Sequence, residues 1–296
     1  MKISVVIPSF NRSATLEWVL PSLLEQSLSR ESYEILLCDA GSTDGTRELA
    51  EKLDPKGQRI RFLPGGDSGR SGARNRGVQQ AQGELILFTD ADIIADPRLL
   101  QGHLKRHQAH PGNAVVGCEI QVNTLDEYER YRVNPAAHAR HKPTREKLPW
   151  HYFLTGNASL LRSQLLEVGS FDEDFQGYGH EDLELGYRIL KKGWTIFYAP
   201  EAVDYHWHPV PFAEQCSKMR LAGRSTVRFY RKHKDIRIPL QMGMNPISLG
   251  VHAMLPKEGR MFKWIEFKAQ TEPWARPIVL QHYYVSGIKE VLNGKV

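Results

Sequence analysis

Apolar positions along the first hundred residues change period several times. Ile3-Ser4-Val5-Val6-Ile7 is a short apolar run closed by Pro8, the pattern of a buried strand. From Ala14 to Ser27, Leu16, Val19, Leu20, Leu23 and Leu24 recur at helical steps, with Pro21 as a point where that helix would kink. Glu34 to Cys38 predicts a second strand ending at Asp39, and Ser42 or Thr43 stands where it would cap a helix running to about Leu53. Ile60 to Leu63 predicts a third strand, Ser71 to Gln82 a helix, and Leu85 to Phe88 a fourth strand leading to Asp90. Strands alternating with helices at this pitch predict an α/β fold, a mostly parallel sheet flanked by helices.

Periodicity weakens between 101 and 150, a stretch rich in His, Arg and Asn that reads as loop and helix. Patterns return from Trp150. Leu183, Leu185, Ile189 and Leu190, with Gly193 after them, predict a helix whose first residues are Glu181 and Asp182. Thr195 to Tyr198 is strand-like and Pro200 predicts a turn. Residues 211–234 read as one amphipathic helix, with Phe212, Cys216, Met219, Gly223, Val227 and Tyr230 on one stripe and Arg220, Arg224, Arg228 and Arg231 on another. Trp264, Trp274, Tyr283 and Tyr284 lie in two further amphipathic stretches. The expected division is an α/β domain over 1–210, changing in character near residue 100, and a helical C-terminal extension over 211–296.

Composition narrows the class only a little. With 41% hydrophobic and 25% charged residues the chain is an ordinary globular one rather than a disordered one. A net charge of +5 suits nucleotide phosphates, anionic lipid or nucleic acid without choosing among them. Cys38, Cys118 and Cys216 match neither a zinc pattern nor a disulfide framework, and Cys38, at the end of an apolar run, reads as a buried structural thiol. No apolar stretch approaches the ~20 residues of a bilayer span, and the first residues have no signal-peptide architecture. The expectation is a cytoplasmic protein, with contact to the inner face of a membrane left open through the basic stripe of 211–234.

In α/β sheets ligands bind beyond the carboxyl ends of the strands, so the residues just after each strand carry the candidate chemistry. Asp90-Ala91-Asp92 offers paired carboxylates that could share a divalent cation and a ribose, although a solvated turn would look the same. Asp39 precedes Gly41-Ser42-Thr43-Asp44-Gly45-Thr46, a turn able to meet a base or ribose, or simply a capped strand–helix turn. Arg74, among the arginines of Gly69 to Gly77, could reach a diphosphate, pair with Asp39, or belong to a basic helix face. Glu181 and Asp182 follow Gly177-Tyr178-Gly179-His180 at a helix start. A carboxylate there is a candidate base for a sugar hydroxyl, or plain complementation of the helix dipole. His206 and His208 flank Trp207 on one side of a strand end, where an imidazole could complete a metal site begun by Asp92.

Taken together and in this order, these blocks resemble glycosyltransferase family 2, the inverting family with the GT-A fold. Val5 to Arg12 looks like its first strand and nucleotide loop, Asp39 to Thr46 like its second, and Gly72 to Gly77 and Thr89 to Asp92 like its third and fourth. Thr155-Gly156-Asn157, Gly169 to Glu173 and Gly177 to Arg188 are similar to the acceptor half of chondroitin-polymerase and β-1,4-galactosyltransferase domains. The resemblance implies transfer of a sugar from a nucleotide-diphosphate donor, a UDP-sugar, to a glycan or lipid-linked glycan hydroxyl. It implies nucleotide contacts from Pro8, Ser9, Asn11, Arg12, Asp39 and Arg74, with Asp90 at the ribose or the metal. A divalent cation, Mn²⁺ or Mg²⁺, would rest on Asp92 and His206. Asp182 would be the catalytic base, and Glu181, Gly156 and Trp150 would meet the acceptor. Ala40 stands where the family often has a second acid, so one base contact is missing. The Gln-x-x-Arg-Trp of processive synthases is absent, which favours addition of a single sugar. A nucleic-acid partner is not expected, and a homodimer is left open. A nucleotidyltransferase would want a glycine-rich phosphate loop where Asn11-Arg12 stands. A non-catalytic binding module would be expected to lose the acids that are all present.

Overall fold

The computed structural model describes residues 1–66, 69–134, 143–175, 178–207 and 209–294, so Gly177 and His208 lie outside the described residues. The chain divides into two compact units, Met1–Gln176 with Glu181–Pro209, and Gly177–His180 with Val210–Val296.

The first unit is built on one sheet. Its strands are β1 (Ile3–Ser9), β2 (Tyr33–Asp39), β3 (Ile60–Leu63), β4 (Leu85–Phe88), β5 (Ile93–Ala95), β6 (Ala114–Val122), β7 (Lys147–Leu148), β8 (Ala158–Leu161) and β9 (Ile196–Trp207). Their order is β3-β2-β1-β4-β8-β6-β9-β5, with β7 also on β9. The helices are α1 (Ser13–Leu24), α2 (Thr46–Leu53), α3 (Gly69–Gln80), α4 (Leu99–Ala109), α5 (Leu125–Val133), α6 (Arg162–Glu167) and α7 (Glu181–Lys191). The pairs among β3, β2, β1 and β4 are all parallel. Beyond β4 the sheet is mixed: β8 is antiparallel to both β4 and β6, while β6 and β9 run parallel.

Every residue of β1 and β2 is buried, as a strand covered on both faces requires. Leu16, Val19, Leu20 and Leu23 form the buried stripe of α1, which continues through Pro21 and ends one turn later. Gly77 explains how closely α3 approaches the sheet: a Cβ there would stand 2.5 Å from Val6 Cγ1 and 2.8 Å from Cys38 Sγ. That approach carries Arg74, one turn earlier, to the strand ends. All three cysteines are buried and none forms a disulfide.

Three sequence expectations change. Ser42 and Thr43 do not cap α2; it starts at Thr46 after Gly45, whose φ of 86° suits glycine, and the Ser42 hydroxyl turns back to Asp39 instead. The stretch 101–150 is not only loop and helix, because it contains β6, a nine-residue strand at the centre of the second half of the sheet. The turn at Pro200 is a bulge within a continuous β9: Gly117 pairs with Ala199, and the next residue, Cys118, pairs with Val203.

The second unit is helical: α8 (Phe212–His233), α9 (Arg237–Gln241), α10 (Pro246–Met254), α11 (Arg260–Lys268) and α12 (Ala275–Leu292). Its long helices α8 and α12 meet backbone to backbone at two glycines. A Cβ at Gly223 would lie 2.0 Å from the Tyr284 carbonyl oxygen, and one at Gly287 would lie 1.9 Å from that of Arg220. The basic stripe of α8 is partly committed within this unit, since Arg220 and Arg224 both pair with Glu290 of α12. Residues 178–180 are fastened to the same helices. Ser225 Oγ donates to the Tyr178 carbonyl at 3.2 Å, and His180 Nε2 lies 2.8 Å from Thr226 Oγ1, which lies 2.5 Å from the Tyr284 hydroxyl. Among the described residues no helix is long and apolar enough to cross a membrane.

Close glycine packing makes a paired prediction. Gly223→Ala forces α8 off α12 and should cost ~1–3 kcal/mol of overpacking. Gly250, inside α10, has open space where a Cβ would go. Gly250→Ala should therefore stabilise the protein by up to ~1 kcal/mol. Urea denaturation of both variants checks the pair, and equal effects of the two substitutions would contradict the close approach.

Candidate functional site

The carboxyl ends of β1 and β2 present two loops that brace each other. Asn11, at φ 51°, takes the left-handed backbone that asparagine tolerates. Its N–H donates to Ser42 Oγ at 2.8 Å, and its Oδ1 accepts from the Thr43 N–H at 2.9 Å. The Ser13 N–H donates to Asp44 Oδ2 at 2.8 Å. Asp39, buried at 3% exposure, accepts from the Gly41 and Ser42 N–H groups and from Ser42 Oγ, so its carboxylate shapes the turn it opens. Pro8 and Ser9 are buried at the end of β1 while Arg12 is exposed. The buried hydroxyls of Ser9, Ser71 and Thr89 find no hydrogen-bond partner in the protein. Ser9 ends β1, Thr89 follows β4 and Ser71 lies in the first turn of α3, and unsatisfied hydroxyls so placed are what a polar ligand would satisfy.

Arg74 is the centre of the site. It is 1% exposed, yet its guanidinium reaches Asp90 Oδ1 at 2.7 Å and Glu181 Oε1 at 3.2 Å, and it faces the Phe171 ring at 5.5 Å. Asn75, the next residue, exchanges two hydrogen bonds with the Phe171 backbone, both at 2.9 Å, which fixes that ring in place. Arg74 therefore does not pair with Asp39. Arg76 takes that position, donating to the Asp39 carbonyl at 2.6 Å. Burial alone would weaken the charge on Arg74, but Asp90, Glu181 and Asp182 outweigh it and hold the guanidinium firmly cationic.

Glu181 and Asp182 open α7 side by side and titrate in opposite directions. Burial works against charge on Glu181, but Arg74 and Arg70 overcome it and hold the carboxyl below its ordinary value. Asp182 also pays for desolvation and has, in addition, the negative Glu181 beside it; Arg74 offsets only part of this, and the Asp182 pKa is pushed up to about 7.

On the other side of Asp90 lies a polar cluster on one face of β6 and β9. Asp92 follows β4, and its carbonyl accepts from the Trp207 N–H at 2.9 Å. Asp92 Oδ1 stands 3.5 Å from His206 Nε2. His206 Nδ1 is 3.3 Å from Glu119 Oε1 and 2.8 Å from Gln121 Nε2, and that amide lies 2.6 Å from the same Glu119 oxygen. Burial opposes charge on His206, but its hydrogen bonds to Asp92 and Glu119 prevail and lift its pKa to about 10. Asp204, two residues back on the same face, is fully buried, and that burial raises its pKa far above the carboxylate range.

Among the described residues no three His, Cys, Asp or Glu side chains close around one point as a metal cage. A hard cation that keeps phosphate oxygens and water needs fewer protein ligands. Neighbouring ligands about 2.1 Å from one Mg²⁺-sized ion stand about 3 Å apart. The Asp92–His206 separation of 3.5 Å is close to that, so a carboxylate and an imidazole are placed to share a cation.

Gly156 is buried because Glu119 needs its space: a Cβ there would lie 2.5 Å from Glu119 Oε2. Trp150 is 5% exposed and stands edge-on to Tyr187, and a Cβ at Gly186 would meet its carbonyl at 2.5 Å. Its ring is thus part of the packing around α7. Glu119 and Gln121 were not among the sequence candidates. The alternation Cys118-Glu119-Ile120-Gln121-Val122, buried and exposed in turn, carries the signal of a strand offering two polar side chains to one face.

Residues 4–169 match the family model described as Glycosyl transferase family 2, and residues 136–209 match that described as the N-terminal domain of galactosyltransferase. The chain is 32% identical over 263 residues to the validoxylamine A glucosyltransferase of Streptomyces hygroscopicus subsp. jinggangensis, covering 79% of this chain and 61% of that one. It is 24% identical to the chondroitin synthase of Escherichia coli, covering 80% of this chain and 41% of that one. The chain thus spans less than two thirds of the length of these relatives. Among solved structures it is similar to a mannosyltransferase from Pyrobaculum calidifontis in complex with GDP-Man and Mn²⁺, with TM-score 0.68, 19% identity, and coverage of 100% of this chain and 88% of that one. It is also similar to S. aureus TarS 1–349 in complex with UDP-GlcNAc, with TM-score 0.59, 17% identity, and coverage of 99% and 92%. These likenesses show a GT-A fold.

Removing Arg74 should be costly. Arg74→Met keeps the volume but leaves Asp90 and Glu181 without their shared cation, and breaking a buried pair in this way costs ~3–5 kcal/mol. Arg74→Lys should recover only part of the loss, because one ammonium cannot span both carboxylates as a fork does. Urea denaturation of both variants measures this, and a wild-type midpoint for Arg74→Met would contradict it.

Proposed function

The chain belongs to glycosyltransferase family 2, and from that premise we propose that it moves one sugar from a UDP-sugar to a hydroxyl of a glycan or lipid-linked glycan, inverting the anomeric carbon. The observation that carries this reading is Asp182: a carboxyl at a helix start, raised to about 7, beside a neighbour held ionised. A base whose pKa lies near the working pH has both a large deprotonated fraction and a strong pull on the incoming proton.

In the proposed mechanism Pro8, Ser9, Asn11 and Arg12, with Asp39, line the nucleotide, and the braced loops keep that lining rigid. Asp90 accepts from the ribose, and Arg74 acts on the donor by fixing Asp90 rather than by touching the phosphates. Asp182 takes the proton of the acceptor hydroxyl as its oxygen attacks the anomeric carbon. The attack comes from the face opposite the diphosphate, and a single displacement inverts that carbon. Glu181, kept anionic, orients the acceptor, with Gly156 and Trp150 shaping the wall behind it. Asp92 and His206 would hold Mn²⁺ or Mg²⁺, which would neutralise charge on the departing diphosphate. The likeness to a fold that carries GDP-Man and Mn²⁺, and to one that carries UDP-GlcNAc, supports a nucleotide-sugar donor, and the TarS complexes favour UDP.

Two outcomes are expected. Asp182→Asn keeps the shape but cannot take a proton, so transfer should fall by ~10²–10⁴ while UDP affinity stays within experimental error. For the wild type, the carboxylate form is the active one, so kcat/KM should climb as pH rises through about 7 and then level off. Near-normal turnover in Asp182→Asn with loss in Glu181→Gln would move the base to its neighbour. Separately, calorimetry should show UDP binding strengthened by Mn²⁺ in the wild type and not in Asp92→Ala. Equal affinities in all four combinations would remove the cation from the reading.

A further inference from the structure

We propose that Glu119 is a positioning residue that selects the His206 tautomer able to bind a divalent cation, a role that rests on the cation reading above. Nε2 of His206 faces Asp92 and Nδ1 faces β6. In the metal-free protein both ring nitrogens are protonated at neutral pH; to offer a lone pair beside Asp92 the ring must give up the Nε2 proton and keep the one on Nδ1, and that N–H needs an acceptor. Glu119 Oε1, at 3.3 Å, is the acceptor in place. A carboxylate behind a metal-binding imidazole fixes the ring's orientation and raises its basicity.

Two features of the fold hold Glu119 to this task. Gln121 donates its amide to Glu119 Oε1 at 2.6 Å, from the same face of the same strand. Gly156 leaves the space that Glu119 Oε2 occupies, where any side chain would displace it. Gln121 also creates the competing state. Its amide nitrogen is 2.8 Å from Nδ1, and an N–H donated there would leave the imidazole proton on Nε2, aimed at Asp92. Glu119 decides between the two: a hydrogen bond to a charged acceptor is roughly twice as strong as a neutral one, and the same carboxylate draws the Gln121 amide toward itself. Without the charge, the Gln121 arrangement prevails and the ring turns a proton to the cation position.

The test uses the whole chain with Mn²⁺ and UDP as probes. Mn²⁺ affinity is read by electron paramagnetic resonance, and the His206 tautomer by nitrogen NMR of metal-free histidine-labelled protein titrated to the pH at which the ring is neutral, assigned with His206→Gln. Glu119→Gln should weaken Mn²⁺ binding by about 10–100-fold and move the proton from Nδ1 to Nε2. Gly156→Ala, which pushes the carboxylate away without removing it, should weaken Mn²⁺ in the same direction. Asp182→Asn should leave Mn²⁺ affinity unchanged, and thermal melts confirm that each variant is folded. Wild-type Mn²⁺ affinity and an unchanged tautomer in Glu119→Gln would overturn the role of Glu119 alone. A wild type that binds no Mn²⁺ even with UDP present would overturn the cation reading, and this inference with it.

Discussion

A single guanidinium holds the site together. Arg74 reaches Asp90, at the end of the parallel half of the sheet, and Glu181, at the start of α7, more than a hundred residues later in the chain. Taking a cation and two anions out of water is expensive, and hydrophobic replacements of such triads are often at least as stable. What the ion triad supplies that apolar packing cannot is a fixed distance between two carboxylates of different halves. The glycine at position 77 is part of the same device, because only without a Cβ does α3 lie close enough to the sheet to deliver Arg74 to the strand ends.

That fixed point separates two adjacent acids in their chemistry. Glu181 and Asp182 share a helix start and a dipole, so local sequence gives no reason for them to differ. The difference comes from Arg74, which contacts one and not the other. With Glu181 ionised, its charge adds to burial in raising Asp182. The result is an anion beside a carboxyl that titrates near neutrality, two adjacent acids set apart by their environment.

The parallel half of the fold was legible because strands covered on both faces read as unbroken apolar runs: β4 matches to the residue and β2 within one at each end, while β1 runs two residues further, through Pro8 to Ser9. α8 was legible for a different reason, since its apolar and basic stripes keep a helical period over its length. β6 was hidden. Gly117 interrupts its apolar run, and its last residues alternate because they line a polar face rather than a core. Of the site, the strand-end and helix-start acids could be picked out, but not who pairs with whom. Nothing local tells Arg74 from Arg76, yet one meets Asp90 and Glu181 and the other the Asp39 carbonyl. The edge-on contact of Trp150 with Tyr187 likewise comes from tertiary packing that spacing does not show. Residues brought together by tertiary register, such as Gln121 opposite His206, leave no trace in spacing.

Charge balance shows how so many acids can share one face. Asp90 and Glu181 are set against Arg74. Asp204 is kept neutral by complete burial, and Asp182 is half-neutral near pH 7. What remains is Asp92 and Glu119 around one imidazole. Each group is handled by a different means: an ion pair, burial, or a hydrogen-bonded ring. Each cluster is left with one surplus negative charge, two carboxylates against the Arg74 guanidinium in one and two against the His206 imidazolium in the other. Asp182 stands apart from both clusters, its pKa pushed up to about 7 beside the ionised Glu181. The buried guanidinium that holds Glu181 ionised is therefore also what leaves its neighbour near neutrality, so one cation sets the charge of two adjacent acids.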